Sequence, residues 1–163
     1  MLVSDVRLPI TRLALLAAVL CAGCSVSVHA GQGNPQAEQA YRTAIAQPFN
    51  DLTSAAGKAN RVCAGGSQPN PQQCYTDTAG EISSARAVEQ ALRSVPTPPR
   101  FAKANADLLH GLAIFVQGLT KRNDGLAAHS TSEYSAGENL ITHGLAIQKS
   151  AFAEYPADAN IVA

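Results

Sequence analysis

The stretch of residues 34–63, NPQAEQAYRTAIAQPFNDLTSAAGKANRVC, carries the clearest structural signal in the chain. Its apolar residues recur in steps of three and four along most of its length, which is the spacing of one face of an amphipathic helix. Asn34 followed by Pro35 is typical of a helix N-terminus, because the Asn side chain caps free N–H groups and Pro fits the first helical position. We therefore predict a helix from Pro35 to Cys63, which Pro48 should kink or split.

Two further helices are predicted after this stretch. The second should open at the capping-box pattern of residues 78–81, TAGE, and stop at Pro96. The third should start at the same run of prolines, residues 96–99, and end at the turn formed by residues 123–125, NDG. Lys121 and Arg122 would then lie in its last turn, where cations offset the helix dipole.

A fourth helix is predicted from about Leu126 to Tyr155, and either residues 130–133 or residues 135–138 could cap it. Residues 157–163 are expected to fray. No alternating pattern of useful length predicts a strand. Short connections between long helices favour opposite directions for neighbours, so we predict an all-α, antiparallel up-down four-helix bundle over residues 35–156.

The bundle should bury one apolar stripe from each helix. The tyrosines on these stripes are expected to keep their hydroxyl groups at the rim. The larger residues expected on the inner faces are Tyr41, Ile45, Phe49, Leu52, Ile82, Val88, Leu92, Val95, Phe101, Leu108, Leu112, Phe115, Leu119, Tyr134, Leu140, Ile141, Leu145, Gln148, Phe152 and Tyr155.

The charge composition argues against a nucleic-acid partner. Among 163 residues the chain has 12 basic and 12 acidic side chains, so its formal net charge is zero. A nucleic-acid-binding domain usually carries an excess of positive charge on one face. The length is that of one domain, and no nucleic-acid binding is predicted.

Residues 1–23 have the organisation of a secretory signal peptide. Arg7 and Arg12 precede the unbroken apolar run of residues 13–20. A basic region followed by a short apolar region is typical of export signals. The run is far shorter than the roughly 20 residues that a membrane-spanning helix needs.

Residues 20–24, LCAGC, resemble the lipobox of bacterial lipoproteins, with Cys21 at a position where an aliphatic residue is usual. The resemblance implies that Cys24 carries acyl chains such as palmitate and becomes the mature N-terminus. The chain would then be anchored at the extracytoplasmic face of the cell membrane, with residues 24–34 as a flexible tether. The alternative is cleavage before Gly31, which would release a soluble secreted protein.

The layout of the whole chain, a lipobox followed by a short polar tether and an Ala-rich helical domain, resembles small lipoproteins of actinobacteria, including mycobacteria. The entry into the third helix at Pro98-Pro99 and the NDG turn are similar to a recurring pattern in those proteins. Most of them lack an assigned activity. The resemblance therefore implies a location rather than a reaction.

Cys63 and Cys74 are the pair that remains once Cys21 is removed with the signal and Cys24 is acylated or removed. An even remainder in an exported chain predicts a disulfide. A metal or redox pair is the alternative, but the spacing is not CxxC and no further Cys completes a four-ligand zinc site. Closing a loop of about a dozen residues should stabilise the fold by roughly 3 kcal/mol in the chain-entropy account.

No nucleophile motif, phosphate-binding loop or haem-attachment motif occurs in the sequence. We therefore predict a non-enzymatic binding or structural module without a cofactor, which contacts an envelope protein or a small apolar ligand. The alternative is an exported enzyme or a metal-binding bundle that uses His110, Asp107 and His143. His110 and Asp107 lie one turn apart on a face expected to be solvated, and His129 lies too far from His143 on one helix to share a metal.

Overall fold

A computed structural model describes residues 33–63 and 70–161, and all regular structure in these ranges is helical. The prediction of an all-α helical bundle with one disulfide is confirmed, although several helix ends differ from the prediction. The elements are α1 (Pro35–Cys63), α2 (Pro71–Ser94), a 3-10 turn (Pro99–Phe101), α3 (Ala102–Ala127), α4 (Thr131–Glu154) and a second 3-10 turn (Ala157–Ala159).

Helix α1 begins and ends where its sequence predicts. The Asn34 side chain accepts hydrogen bonds from the backbone N–H groups of Gln36 (3.0 Å) and Ala37 (3.2 Å), so it caps the free donors of the first turn. The helix continues without a break through Pro48, which does not split it. Its buried residues are Glu38, Tyr41, Ile45, Leu52 and Ala59.

Helix α2 begins seven residues earlier than predicted, at Pro71 instead of Thr78. The cap is Asn70, whose side chain accepts a hydrogen bond from the Gln73 N–H at 3.1 Å. The Asn-Pro pair that starts α1 is thus repeated at the start of α2. Thr78 and Glu81 are buried inside the helix rather than capping it.

Helix α3 passes through the predicted NDG turn and ends only at Ala127. Residues 123 and 125 of this segment are buried, because the last turn of α3 packs against α4. A Cβ atom at Gly125 would lie 2.4 Å from the backbone nitrogen of Tyr134. Tertiary packing therefore keeps helical a segment whose local sequence favours a turn, and Arg122 lies inside the helix instead of at its end.

His129 ends α3 in the left-handed conformation, with φ of 53°. The N–H of Ser130 donates to the Gly125 carbonyl (2.8 Å), and the N–H of His129 donates to the Leu126 carbonyl (3.3 Å), which is the bonding pattern of a Schellman motif. The Ser130 hydroxyl then accepts from the Glu133 N–H, so the first of the two proposed capping sites is the one used.

Helices α3 and α4 approach each other backbone to backbone. A Cβ at Gly118 would lie 2.6 Å from the Ile141 nitrogen, and one at Gly137 would lie 2.4 Å from the Arg122 nitrogen. A Cβ at Gly144 would lie 2.7 Å from the Phe115 nitrogen. Real side chains do not fit at such distances, so glycine is required at these contacts.

The buried line of α4 differs from the predicted one at Leu145, which is 49% exposed. Gly144 faces α3, and the next residue points about 100° away around the helix. The side chains of α4 that are buried with Gly144 are those of Ile141, Gln148 and Ala151. The predicted inner position of Leu145 is therefore wrong.

The residues that follow α4 pack against α1 as far as Ile161. The prediction that this segment frays is therefore wrong up to that residue. Ala159 is fully buried, and its carbonyl accepts a hydrogen bond from Arg42 Nη1 at 2.5 Å. Asn160 adopts the left-handed conformation, which Asn tolerates better than most residues. Within the described ranges, no helix is both long enough and apolar enough to cross a membrane.

Gly137→Ala should destabilise the protein by about 2 kcal/mol, because the new methyl group must push α3 and α4 apart. The matched control is Gly80→Ala in α2, where a Cβ would have no neighbour within 4 Å. That change should stabilise the protein by about 0.5–1 kcal/mol through helix propensity. Urea unfolding followed by circular dichroism measures both, and a Gly137→Ala protein as stable as Gly80→Ala would contradict the close contact.

His129→Gly should stabilise the protein by about 0.5–1 kcal/mol, because glycine adopts positive φ without the steric cost of a Cβ atom. His129→Ala, which keeps the Cβ, is the control and should bring no such gain. Thermal unfolding of the three proteins compares them. Equal melting temperatures for the Gly and Ala variants would show that this conformation is not strained.

Candidate functional site

The predicted site residues fall into three groups: the lipidation and cleavage residues, the disulfide pair, and the residues of the alternative metal or catalytic site. Cys24 and Gly31 lie outside the described residues. Cys63 and Cys74 form the predicted disulfide, with their Cα atoms 5.1 Å apart. The bond joins the last residue of α1 to the first turn of α2.

Asp107, His110 and His143, the residues of the alternative metal or catalytic site, lie at the surface. His110 and His143 are exposed, and the Asp107 carboxylate accepts a hydrogen bond from Lys103 at 2.8 Å. That hydrogen bond lowers the pKa of Asp107 below its usual range. Over residues 33–63 and 70–161, no three His, Cys, Asp or Glu side chains cluster closely enough to hold a metal ion.

The least expected polar feature of the core is Arg122, whose side chain is only 5% exposed. Its Nη2 atom lies 3.1 Å from a carboxylate oxygen of Glu81 and 3.0 Å from the hydroxyl of Thr78, both in α2. Its Nη1 atom donates to Glu138 of α4 at 3.1 Å. One guanidinium thus links three helices.

Burial dominates the electrostatics of this cluster. Burial raises the pKa of Glu81, and the neighbouring Arg122 offsets only part of that rise. Arg122 Nε and Oδ1 of the adjacent Asn123 are also buried and have no hydrogen-bond partner among the described residues. The cluster is therefore a polar junction in a thin core rather than a solvent-accessible reaction centre.

The sequence contains a signal for Arg122 that the prediction did not use. The buried stripe of α3 runs through Leu108, Leu112, Phe115 and Leu119 in steps of four and three, and one further step of three reaches Arg122. The NDG sequence predicts instead that the helix ends there, with Arg122 in a last turn where a cation offsets the helix dipole.

A second polar contact lies in the aromatic part of the core. The Tyr41 hydroxyl bonds to Asn105 Oδ1 (2.7 Å) and to the Tyr155 hydroxyl (2.8 Å), and both tyrosines are buried. Burial raises the pKa of each phenol above its usual range. The prediction that these hydroxyls would lie at the rim is wrong, because Asn105 gives Tyr41 a buried partner and Tyr41 in turn gives one to Tyr155. Phe101 packs against both rings, with centroid distances of 5.5 and 5.4 Å.

Ion pairs surround this aromatic end of the bundle. Arg100 Nη2 donates to Asp158 at 2.6 Å, and Arg100 Nε lies 3.1 Å from the buried carboxylate of Glu38 without the alignment of a hydrogen bond. Lys103 donates to Asp107 and also to Glu154, at 2.6 Å. These pairs connect α1, α3 and the end of α4 at the surface.

A groove with a volume of about 360 Å³ lies between α1 and the segment after α4. Ile45, Phe49 and Ile161 provide apolar surface, and Arg42 provides a positive charge. We call this feature the α1 groove. Its remaining lining residues are Ala46, Asn50, Thr53 and Asn160. The size lies within the roughly 300–1,000 Å³ of ligand-binding clefts, so this groove is the candidate binding site.

The chain matches no protein-family model, and no curated protein or solved structure shows significant similarity to it.

Arg122→Met should destabilise the protein by about 3 kcal/mol, because it leaves the Glu81 carboxylate buried without its cation. The double variant Glu81→Leu/Arg122→Met should recover most of that loss, since no buried charge then remains. Arg86→Met, at an exposed position of α2, is the control and should change little. Urea unfolding of the four proteins gives the comparison.

The Arg122→Met protein also has an expected pH dependence. Removing Arg122 removes an influence that lowers the pKa of Glu81, so the folded-state pKa rises further above the unfolded value. The folded state then binds more protons than the unfolded state, and the destabilisation should shrink as the pH is lowered from neutral toward the unfolded-state pKa near 4.3. A loss that stays constant over this range would contradict a buried, charged Glu81.

Proposed function

We propose that this chain is a lipid-anchored protein of the bacterial cell envelope, whose helical domain is a non-enzymatic binding module. Cys24 carries the lipid, and the domain lies on the extracytoplasmic side of the cell membrane. Its partner is a small ligand with an apolar part or an envelope protein, and it does not bind nucleic acid.

The observation that carries the anchoring is the LCAGC sequence of residues 20–24, which begins at the last residue of the apolar run of residues 13–20. Acyl chains contribute about 0.8 kcal/mol for each buried methylene, and more than one chain gives stable attachment. We propose residues 24–34 as the tether between the lipid on Cys24 and the helical domain, whose first helix, α1, begins at Pro35. Removal of residues 1–23 takes Asp5, Arg7 and Arg12 away and leaves 10 basic and 11 acidic side chains, and this near-neutral charge fits an attachment that does not depend on a polybasic patch.

The α1 groove supports a binding role for the domain, since it combines apolar surface with polar groups as ligand sites do. Many charged groups in the described helices are engaged in ion pairs with one another, including Arg122 with Glu81 and Lys103 with Asp107. This arrangement favours structural use of these side chains over acid–base chemistry.

We propose further that the four helices alternate in direction, as an antiparallel up-down bundle. Supporting contacts lie along α3 and α4, where Gly125 faces Tyr134 and Gly111 faces Gln148. The disulfide between the end of α1 and the start of α2 fits the same arrangement.

The intact mass of the mature protein, purified from the membrane fraction of an actinobacterial host, tests the anchoring. We expect a chain that begins at Cys24 and carries acyl groups. Cys24→Ala should shift the protein out of the membrane fraction, whereas the matched control Cys21→Ala should stay with the membrane. A lipid-free chain that begins at Gly31 would overturn the proposal in favour of a secreted protein.

A further inference from the structure

We infer that the α1 groove binds the carboxylate of a single-chain amphiphile, with Arg42 holding the carboxylate and the apolar floor of the groove holding the chain. This inference rests on the proposed function, because it assigns a ligand class to the binding module.

Arg42 is the charged residue among the described residues that line the groove. Its Nη1 atom donates to the Ala159 carbonyl at 2.5 Å, and its Nη2 atom donates to Gln39 Oε1 at 3.1 Å. Both acceptors are uncharged, so these bonds fix the guanidinium without neutralising it. A guanidinium has five N–H groups, which leaves three for a ligand.

The carboxylate nearest in sequence to this contact is used elsewhere. Asp158 accepts a hydrogen bond from Arg100 at 2.6 Å, and this bond is the main cause of its lowered pKa, to which Arg42 adds only a small influence from beyond ion-pair distance. In the described part of the chain, no carboxylate lies within the 4 Å of an ion pair with Arg42, whereas Arg93 pairs with one carboxylate and Arg100 and Arg122 pair with two each. A fixed guanidinium without a paired anion is suited to bind a planar carboxylate through two N–H groups.

The apolar floor of the groove determines the second part of the ligand, which is its hydrocarbon chain. Ile45 is buried, and Phe49 and Ile161 are half-buried, so a chain lying on them would remove apolar surface from water. The other polar lining groups, from Asn50, Thr53 and Asn160, carry no charge and do not repel a carboxylate. Each methylene that becomes buried should raise the affinity about fourfold.

The charge on the ligand should be single and negative. One guanidinium balances one negative charge, whereas a phosphate dianion needs further cations that the described lining does not offer. A cationic amphiphile would meet Arg42 directly and be repelled. A fatty acid of medium length provides one carboxylate for Arg42 and an apolar chain for the floor of the groove.

The test measures binding of decanoate, decanol and decyltrimethylammonium to the full chain carrying Cys24→Ser, expressed without lipid. Isothermal titration calorimetry near neutral pH, below the micelle concentration of each compound, gives the affinities. We expect decanoate to bind at least about tenfold more tightly than decanol, because only the carboxylate forms charge-assisted hydrogen bonds with Arg42. The cation should bind most weakly.

Two variants and one control locate the site. Arg42→Gln should bring the affinities for decanoate and decanol together, because the carboxylate then has no cation to bind. Ala46→Leu, at an exposed helical position of the lining, should fill the groove and weaken both ligands. Arg86→Gln, an exposed arginine of α2 outside the groove, should behave as the parent chain does. Circular dichroism verifies that each variant is folded.

The outcomes separate this inference from the proposal on which it rests. Equal binding of decanoate and decanol by the parent chain would overturn the role of Arg42 and leave the groove as a binding site. No binding of any of the three compounds would overturn the groove as an amphiphile site, while lipid on Cys24 would still be decided by the intact mass.

Decanoate binding that survives Ala46→Leu would place the site elsewhere. The parent chain could instead form a dimer that does not take up decanoate and that dissociates when Ala46→Leu is introduced. That result would show that the occupant of the α1 groove is a second copy of the chain.

Discussion

The direct backbone contact between α3 and α4 is the constraint on which the rest of the structure depends. Gly118 and Gly137 allow the two helices to approach until backbone atoms touch, and Gly125 extends the contact to the last turn of α3. Packing of this kind gains dispersion energy from many atom pairs, each of which contributes about 0.1–0.2 kcal/mol. It keeps α3 helical past Asn123 and Asp124, and it places Arg122 opposite α2.

The contact between α1 and the end of α4 is made by large aromatic rings, unlike the glycine contact between α3 and α4. Phe49 of α1 meets Phe152 of α4 with ring centroids 5.5 Å apart, and the Tyr41 and Tyr155 rings are 6.4 Å apart. Rings keep helix axes further apart than glycines do. The α1 groove lies beside these spacers, and the segment that carries Ile161 forms part of its wall.

The sequence predicted the features that depend on neighbouring residues. The ends of α1 follow from Asn34-Pro35 and a regular apolar stripe, and the Cys63–Cys74 bond follows from the parity of the cysteines. The error at Leu145 arises from the close glycine contacts between α3 and α4, which no local pattern encodes. The error at the end of α3 arises because the NDG sequence suggests a turn although the buried stripe continues to Arg122. The start of α2 is different, because the sequence does contain its cap. Asn70-Pro71 is the same kind of start as Asn34-Pro35, but the capping-box pattern at Thr78 was preferred. The α1 groove could not be predicted from the sequence, because it lies between α1 and the residues after α4, which were expected to fray.

The disulfide at the end of α1 has a consequence for how the chain withstands cleavage. Because Cys63 and Cys74 are bonded, a single cut of the backbone anywhere between them leaves both fragments covalently joined. Residues 35–63, including the Tyr41 ring that anchors the aromatic end of the core, would stay attached to the remaining helices. A nicked molecule would thus keep its mass and its core, and it would separate into two pieces only under reducing and denaturing conditions.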